Sequence, residues 1–254
     1  MWNSFNTGDY SGMIAETISL KGHNNDTIRA YYSRPLTRDP YGSILLIPHM
    51  PGWDEWCRET ARRFTEHGYS VVCPDIYSRF GTGTPSEVAN RRRENGLAPD
   101  ETVMADTAAS IEFLRDRHDS NGKVGVIGMC SGGRHTFLAA CTLEGIDAAV
   151  DCWGGGVIMP DEELSPARPV SPHTLTANLS CPLLGIFGND DRRPDVNEVN
   201  RTEELLKKYE KKYEFHRYDG ATHGIWYYHT PMYRQQQAMD SWNVVLEFFD
   251  KNLK

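Results

Sequence analysis

The stretch that decides the fold is Val124-Gly125-Val126-Ile127-Gly128-Met129-Cys130-Ser131-Gly132-Gly133. An apolar run typical of a strand ends at Gly128, and a helix predicted over Gly133–Leu143 begins almost at once. A turn this sharp strains the backbone of its central residue, so small neighbours are needed to avoid clashes. The pattern is that of a nucleophile elbow, G-x-nucleophile-x-G, with Cys130 where serine is usual. The alternative interpretation is a glycine-rich turn that carries an incidental thiol.

Strands and helices alternate along the rest of the chain. Strands are predicted at Thr17–Leu20, Ile28–Ser33, Ser43–Pro48, Tyr69–Cys73, Val124–Ile127, Ala148–Cys152, Leu183–Phe187 and Tyr213–Tyr218. Helices are predicted at Glu55–His67, Asp100–Asp119, Gly133–Leu143, Val196–Tyr209 and Ala238–Asn252. We expect residues 76–98 to form a long loop on the active side of the sheet and residues 154–181 to follow the surface. The alternation predicts an α/β fold with a mostly parallel sheet covered by helices on both faces, as one domain spanning residues 1–254.

Composition excludes several classes of function. The 254 residues carry a formal net charge of −8, which argues against nonspecific binding to nucleic acid or to an anionic membrane. No apolar run approaches the length of a membrane span, and the first residues lack the pattern of a signal peptide. The six cysteines form no Cys-x-x-Cys pair, so no zinc site is predicted. We therefore expect a reduced, cytoplasmic protein that needs no metal or organic cofactor.

A thiol nucleophile needs a base and a group that orients the base, in the chain order nucleophile, acid, histidine. His223 follows the predicted strand Tyr213–Tyr218, in a glycine-rich turn on the same sheet edge as Cys130. Asp190 and Asp191 follow the strand before it, and only one of two adjacent side chains can reach His223. A lone histidine is more often structural than catalytic, but the position of His223 late in the chain favours a catalytic role.

The predicted oxyanion hole combines two backbone N–H groups. One comes from Ser131, the residue after the nucleophile, and the other from the loop that follows the strand Ser43–Pro48. In that loop the prolines have no N–H, which leaves His49, Met50 and Gly52 as possible donors.

With these residues in place, the sequence resembles the dienelactone hydrolase (carboxymethylenebutenolidase) family of α/β-hydrolases. The resemblance extends over nearly the whole chain and rests on the segments Arg58-Glu59-Thr60, Cys73-Pro74-Asp75-Ile76-Tyr77-Ser78-Arg79, Ser120-Asn121-Gly122-Lys123-Val124-Gly125, Gly128-Met129-Cys130-Ser131-Gly132-Gly133 and Ala221-Thr222-His223-Gly224. It implies the α/β-hydrolase fold, Cys130 as nucleophile, His223 as base, an aspartate that orients it, and Met50 as the second oxyanion donor. The spacing from Gly188 favours Asp191 as that aspartate.

Two positions depart from the family pattern. His49 stands where the founding type of the family has a glutamate, and Tyr227 stands where it has an arginine for the substrate carboxylate. Its second arginine lies in the loop that matches residues 76–98, where Arg91, Arg92 and Arg93 are the candidates for this role. A phenol supplies no charge. We therefore expect neutral short-chain esters or lactones to be hydrolysed at least as well as substrates that carry a carboxylate.

The sequence thus predicts a hydrolase of a small ester or lactone that forms a thioester intermediate on Cys130. His49, Trp153, Trp226 and Tyr227 are predicted to contact the substrate, although aromatic clusters are as often core packing. A broader carboxylesterase or thioesterase is the alternative among enzymes. The alternative that is not an enzyme is a catalytically silent hydrolase fold, which binds a small molecule or senses oxidants through Cys130. The expected partner is the small-molecule substrate, and the expected state is a monomer or homodimer.

Overall fold

The computed structural model describes residues 12–37, 40–96 and 98–254. Their strands form one eight-stranded sheet in the order β1-β2-β4-β3-β5-β6-β7-β8. The strands are β1 (Met13–Lys21), β2 (Thr27–Pro35), β3 (Tyr41–Ile47), β4 (Ser70–Pro74), β5 (Ser120–Met129), β6 (Ala148–Cys152), β7 (Leu183–Gly188) and β8 (Tyr213–Tyr218). Strand β2 pairs antiparallel with both β1 and β4, and all other pairs are parallel.

Helices cover both faces of this sheet. They are α1 (Glu55–Glu66), α2 (Pro85–Glu94), α3 (Asp100–Arg115), α4 (Ser131–Thr142), α5 (Val196–Lys208) and α6 (Gln235–Leu253). One apolar cluster joins the sheet to α3, α4 and Leu206 of α5, and a second joins it to α1 and α6. The prediction of a mostly parallel sheet between helices is confirmed. Among the described residues, no helix is long and apolar enough to cross a membrane.

Parallel register brings the chemically important segments to one edge of the sheet. Strands β5 and β6 end together at Met129 and Cys152, which are paired, while Gly188 at the end of β7 pairs with Tyr218 at the end of β8. The turns that follow β5, β7 and β8 therefore meet beyond the carboxyl ends of the strands, where ligands bind in sheets of this class.

Two connecting segments differ from expectation. Residues 76–98 are not a loop throughout, because they contain helix α2, whose first turn is closed by a capping box between Thr84 and Glu87. Proline at the first helical position favours the same start. Residues 154–181 contain two short 3₁₀ helices, Asp161–Glu163 and Pro172–Asn178, and bury several apolar side chains rather than only following the surface.

The elbow has no room for a side chain at its glycines. A Cβ on Gly128 would lie 2.1 Å from the Gly132 carbonyl oxygen, and a Cβ on Gly132 would lie 2.3 Å from the Ile47 carbonyl oxygen. Both contacts are with backbone that cannot rotate away. The glycines therefore allow β5, the turn and α4 to pack directly against β3.

We predict that Gly132→Ala destabilises the protein, by about 1–3 kcal/mol in the free energy of unfolding, because the new methyl group overpacks the elbow. Helix propensity alone predicts the opposite sign, a gain of about 1 kcal/mol for alanine within α4. Urea unfolding followed by circular dichroism distinguishes these outcomes. Gly96→Ala is the matched control, since a Cβ there meets no atom within 4 Å and only its positive φ opposes the change.

Candidate active site

Cys130 lies between β5 and α4 in a backbone conformation that L-residues rarely adopt, with φ 56° and ψ −122°. Its N–H donates to the Cys152 carbonyl of the neighbouring strand at 3.0 Å, and its own carbonyl accepts from Gly133 N–H at 3.0 Å. The sheet and the helix thus fix the residue from both sides. Strain held in this way is typical of residues at functional sites.

His223 and Asp191 lie beside the thiol. The His223 Nδ1–H donates to Asp191 Oδ2 at 2.8 Å, and His223 lines the same cavity as Cys130 and lowers the pKa of its thiol. The second Asp191 oxygen accepts the Arg193 N–H at 2.9 Å, which holds the carboxylate in the turn after β7. Asp190 is exposed, and its backbone N–H pairs with the Ala221 carbonyl. The structure therefore brings Asp191, rather than Asp190, into contact with His223.

The surroundings of Cys130 favour a thiolate. Burial alone raises the pKa of the thiol, but the hydrogen bond and charge of His223 outweigh burial and lower it below its ordinary value. Burial likewise disfavours the His223 imidazolium, yet the bonds to Asp191 and Cys130 raise the pKa of His223 to about 10. Each group stabilises the charged form of the other. The pair is therefore arranged as thiolate and imidazolium near neutral pH.

Two backbone N–H groups also face the sulfur. The N–H groups of Ser131 and Met50 both lower the pKa of Cys130, because they stabilise the negative charge of its thiolate. Of the three donors that the sequence left open after β3, the structure therefore places Met50 next to the thiol. Ser131 opens α4, so the positive end of the helix dipole lies at the same point.

The other five cysteines lie in different surroundings. Cys57, Cys73, Cys141, Cys152 and Cys181 are all buried. Burial raises the pKa of Cys57 and Cys152 well above the ordinary value, and it raises those of Cys141 and Cys181 to about 12. These thiols pack as small apolar groups.

A cavity of about 620 Å³ opens beside the thiol. Its lining includes Cys130, Ser131, Asp191 and His223, together with four arginines, Arg134, Arg168, Arg192 and Arg193. None of these arginines was predicted from the sequence. They come from α4, from residues 154–181 and from the turn after β7, segments whose sequence patterns gave no sign that they converge.

The two positions that depart from the family pattern contact each other. His49 Nδ1 lies 2.7 Å from the Tyr227 hydroxyl, and His49 Nε2 lies 3.0 Å from Asp54 Oδ2. Burial lowers the pKa of His49, but interaction with Cys57 and the hydrogen bond to the Asp54 carboxylate oppose burial, and the net effect raises the pKa. When His49 is protonated, both of its ring N–H groups donate, and the Tyr227 O–H is free to donate elsewhere.

His49, Asp54 and Cys57 also bring one candidate ligand atom each within 4.8 Å of one another. Hydrogen bonds inside the protein already engage these atoms, including one from Cys57 Sγ to the Gly52 carbonyl at 3.4 Å. Burial also raises the pKa of Cys57 well above its ordinary value, which opposes the thiolate that a metal ion requires. The cluster is therefore better described as a hydrogen-bonded network than as a metal centre.

The aromatic residues predicted to contact the substrate, Trp153, Trp226 and Tyr227, are buried and do not line the cavity. Trp153 and Trp226 are fully buried and pack edge to face, with ring centroids 5.5 Å apart. The Trp226 indole N–H donates to Ser241 Oγ, and the Tyr227 ring packs against Trp153 at 5.9 Å. Of the two interpretations given for these tryptophans, the structure favours packing beneath the site over contact with substrate.

The three adjacent arginines point in different directions. Arg91 donates to the Phe80 and Thr82 carbonyls, and Arg93 donates to Asn90 Oδ1 on the exposed side of α2. Arg92 instead turns inward and is buried, with its guanidinium 4.7 Å from the centre of the Tyr77 ring.

Comparison with known proteins gives a consistent result. The model of the dienelactone hydrolase family matches residues 28–253. A relative from Methylorubrum extorquens named "Putative carboxymethylenebutenolidase" is 28% identical over 250 residues, covering 95% of this chain and 82% of its own length. A relative of the same name from Escherichia coli K12 is 28% identical over 229 residues, covering 88% of this chain and 82% of its own length.

Solved structures show the same fold. A crystal structure from Klebsiella pneumoniae described as a "Putative Dienelactone Hydrolase" has a TM-score of 0.86 and 25% identity, covering 95% of this chain and all of that one. An acylaminoacyl peptidase from Pyrococcus horikoshii has a TM-score of 0.74 at 19% identity, covering 95% of this chain and 42% of its own. This second match supports the α/β-hydrolase fold alone.

We predict that limiting iodoacetamide labels Cys130 before any other cysteine, because its thiolate is stabilised and the five others are buried. The pH midpoint of labelling should lie below that of a free thiol, and His223→Ala should move it upward. Peptide mass spectrometry over a pH series measures both effects. Labelling of Cys57 or Cys141 ahead of Cys130 would contradict this description of the site.

A second prediction concerns the buried His49. Its pKa is raised on folding, so its stabilising effect is fully present below the unfolded value of about 6.5 and is lost as pH rises through the folded value. His49→Gln should therefore destabilise the protein more at pH 6 than at pH 10. Each unit of pKa difference contributes about 1.4 kcal/mol. The measurement is urea unfolding at both pH values.

The Asp54→Asn background provides the control for this test, because it removes the carboxylate that favours protonated His49. There the effect of His49→Gln should depend much less on pH. An equal effect at both pH values in the parent protein would show that His49 folds in its neutral form.

Proposed function

The chain belongs to the dienelactone hydrolase family, and from that premise we propose that it hydrolyses a small carboxylic ester or lactone through Cys130. The observation that carries this proposal is that Cys130, Ser131, Asp191 and His223 line one cavity, with His223 bonded to Asp191 and with the Ser131 and Met50 N–H groups near enough to lower the pKa of Cys130. A base on one side and two oxyanion donors on the other are what acyl transfer requires.

In the first step, the Cys130 thiolate attacks the carbonyl carbon and forms the carbon–sulfur bond. The carbonyl π electrons move onto oxygen, and the Ser131 and Met50 N–H groups donate to the resulting oxyanion. When the tetrahedral intermediate collapses, the ester C–O bond breaks. The His223 imidazolium gives its proton to the leaving oxygen, which yields an alcohol and a thioester on Cys130. In a lactone both products remain one molecule.

In the second step, His223 is neutral and accepts a proton from water as that water attacks the thioester. The same two N–H groups hold the second oxyanion, and its collapse releases the carboxylic acid and the thiolate. Asp191 keeps the His223 Nδ1–H turned toward itself, so that Nε2 faces the reacting atoms in both steps. The proton that His223 gives to the alcohol is thus replaced by one from water, and the thiolate and imidazolium are both restored.

Substitution of the nucleophile tests this mechanism. Cys130→Ala should lower kcat for 4-nitrophenyl acetate on the order of 10³-fold or more, while the fold is retained. Circular dichroism and the thermal midpoint check that the variant is folded. Activity within tenfold of the parent protein would exclude Cys130 as the nucleophile.

The two neighbouring aspartates provide a matched pair. Asp191→Asn should lower kcat on the order of 10⁴-fold, the loss seen when a triad aspartate is replaced by asparagine, because an amide favours the wrong histidine tautomer. Asp190→Asn should change kcat only a few-fold, since that side chain is exposed. The measurement is steady-state hydrolysis of the same ester. The reverse ranking would assign the orienting role to Asp190.

A further inference from the structure

A buried carboxyl group next to the nucleophile elbow has no part in the proposed mechanism. Asp151 is 2% exposed and lies in β6, where it pairs with Gly128 of β5, two residues before Cys130. Its Oδ1 accepts the Gly154 N–H at 2.8 Å, across the turn that follows β6. Burial of a carboxyl group is unfavourable unless its bonds compensate for the loss of water, so packing alone does not explain this position.

Two glycines leave room for this carboxyl group. A Cβ on Gly133 or on Gly154 would lie 2.3 Å from Asp151 Oδ1. The Cβ on Gly154 would also lie 2.5 Å from the Arg134 backbone nitrogen, and the Cβ on Gly133 would lie 2.8 Å from the Gly154 Cα. The first turn of α4 and the turn after β6 therefore pack backbone against backbone, with the Asp151 carboxyl group beside both.

The turn after β6 also holds the nucleophile. The Cys152 carbonyl accepts the Cys130 N–H at 3.0 Å. Trp153, the next residue, has φ 44°, a value that L-residues rarely adopt. The bond from Gly154 N–H to Asp151 closes this strained turn, as aspartate side chains commonly do. Asp151 is therefore one bond away from the carbonyl group that fixes Cys130.

The surroundings of Asp151 favour its uncharged form. Asp151 shares a small cavity, of about 10 Å³, with Glu198 of α5, and none of the described residues that line this cavity is basic. Two carboxyl groups at such a site seldom ionise together. Glu198 accepts the Gly156 N–H at 2.7 Å and the Ile158 N–H at 3.2 Å, whereas Asp151 accepts one N–H. The proton is therefore expected on Asp151.

The pKa of Asp151 is consistent with this assignment. Burial raises it well above its ordinary value, the Gly154 N–H only partly opposes burial, and repulsion from Glu198 and from the Cys130 thiolate raises it further. Because that repulsion is mutual, an ionised Asp151 would disfavour the thiolate. The uncharged acid accepts the Gly154 N–H without this effect.

Two arginines lie against the glycines that follow Asp151, but each has an anionic partner of its own. Arg134 donates to the two Asp100 oxygens at 2.7 and 2.8 Å, and Arg193 pairs with Glu163. Their charges are therefore already compensated and do not require an ionised Asp151.

We propose that Asp151 is a positioning residue for the nucleophile: as an uncharged carboxylic acid, it holds the turn after β6 against α4 and thereby fixes the Cys152 carbonyl that accepts the Cys130 N–H. Asp151 does not line the cavity beside the thiol, so it acts through this turn and not on the substrate. The inference rests on the proposed function, because it concerns how the nucleophile of that reaction is held.

Three substitutions of Asp151 test this role. An amide resembles a protonated carboxyl group, with one oxygen that accepts and one group that donates. Asp151→Asn should therefore retain both kcat for 4-nitrophenyl acetate and the pH midpoint of Cys130 alkylation. Asp151→Ala should lower kcat about 10- to 100-fold with little change in KM, the effect of a small misplacement of a reacting group, and should raise the alkylation midpoint.

Asp151→Ser should give intermediate values, because a hydroxyl group makes the same turn bond more weakly. If Asp151→Ala does not fold, the comparison of Asp151→Ser with Asp151→Asn decides the question. Equal kcat and equal alkylation midpoints in the serine and asparagine variants would overturn the proposal.

Asp147→Ala is the matched control. Asp147 Oδ2 accepts the Val124 N–H at 2.8 Å, so the same kind of bond is lost near the other end of β5. This variant should have a lower thermal midpoint but the kcat and the alkylation midpoint of the parent. If Asp151→Ala likewise changes only the thermal midpoint, Asp151 is a structural residue and the proposal is wrong.

The pH dependence of stability tests the charge of Asp151. A carboxyl group whose pKa is raised on folding stabilises the protein less as pH rises from the unfolded value of about 3.9 toward the folded value. Asp151→Asn should therefore have a higher thermal midpoint than the parent near neutral pH, and the difference should narrow as pH falls toward about 4. A lower thermal midpoint at neutral pH, or a lower alkylation midpoint, would show an ionised carboxylate and contradict the proposal.

Alkylation also separates this proposal from the proposed function, since it needs no turnover. A midpoint raised in Asp151→Ala but not in Asp151→Asn or Asp147→Ala, in a protein that hydrolyses no ester, would support the positioning role and refute the hydrolase mechanism. Hydrolysis through Cys130 with the same kcat and the same alkylation midpoint in all these variants would do the reverse.

Discussion

The backbone of Cys130, held at φ 56° and ψ −122°, is the constraint on which the site depends. Such a conformation persists only where the surroundings impose it. Here the Cys152 carbonyl fixes the residue from the sheet, and the glycines on either side let α4 begin one residue later. The thiol is thereby raised above the sheet edge, where the turns after β3, β7 and β8 can reach it.

Charged side chains near the Cys130 sulfur form three distinct kinds of contact. His223 is paired with Asp191 and faces the thiol, so its charge is available for proton transfer. His49 is paired with Asp54 and Tyr227, and this network contains both positions at which the sequence departs from the family pattern. Arg134 is paired with Asp100 through two hydrogen bonds, and the same two residues also bond to the Gly156 and Ala167 carbonyls, so that this buried pair holds the segment 156–168 against α3 and α4. The role of each charged side chain near the sulfur therefore depends on the partner that it contacts.

Local signals made the elbow and the sheet predictable. The run Val124–Ile127 and the glycines after it determine the turn by short-range sterics, and alternating elements determine the parallel order. Helix α2 was missed because its only buried residues are Ala89 and Arg92, which leave no apolar periodicity. Thr84, Pro85 and Glu87, which form its cap, are the signal that could have revealed it.

Other parts of the site could not be predicted from the sequence, because they depend on contacts between residues far apart in the chain. His49 meets Tyr227 across 178 positions, and neither residue carries a local mark of that contact. Arg168 lies in a proline-rich segment without periodicity, and its position depends on the distant pair of Asp100 and Arg134. Asp191 could be separated from Asp190 only by family spacing, because adjacent residues share the same local sequence.

The central claim is that an acyl group is transferred to Cys130. The most direct measurement is rapid acid quenching of the protein mixed with excess 4-nitrophenyl acetate, followed by peptide mass spectrometry. The mechanism predicts a single acetyl group on the peptide that contains Cys130, released by hydroxylamine and absent from Cys130→Ala. An acetyl group on another residue, or rapid turnover with no acetylated species at any quench time, would contradict it.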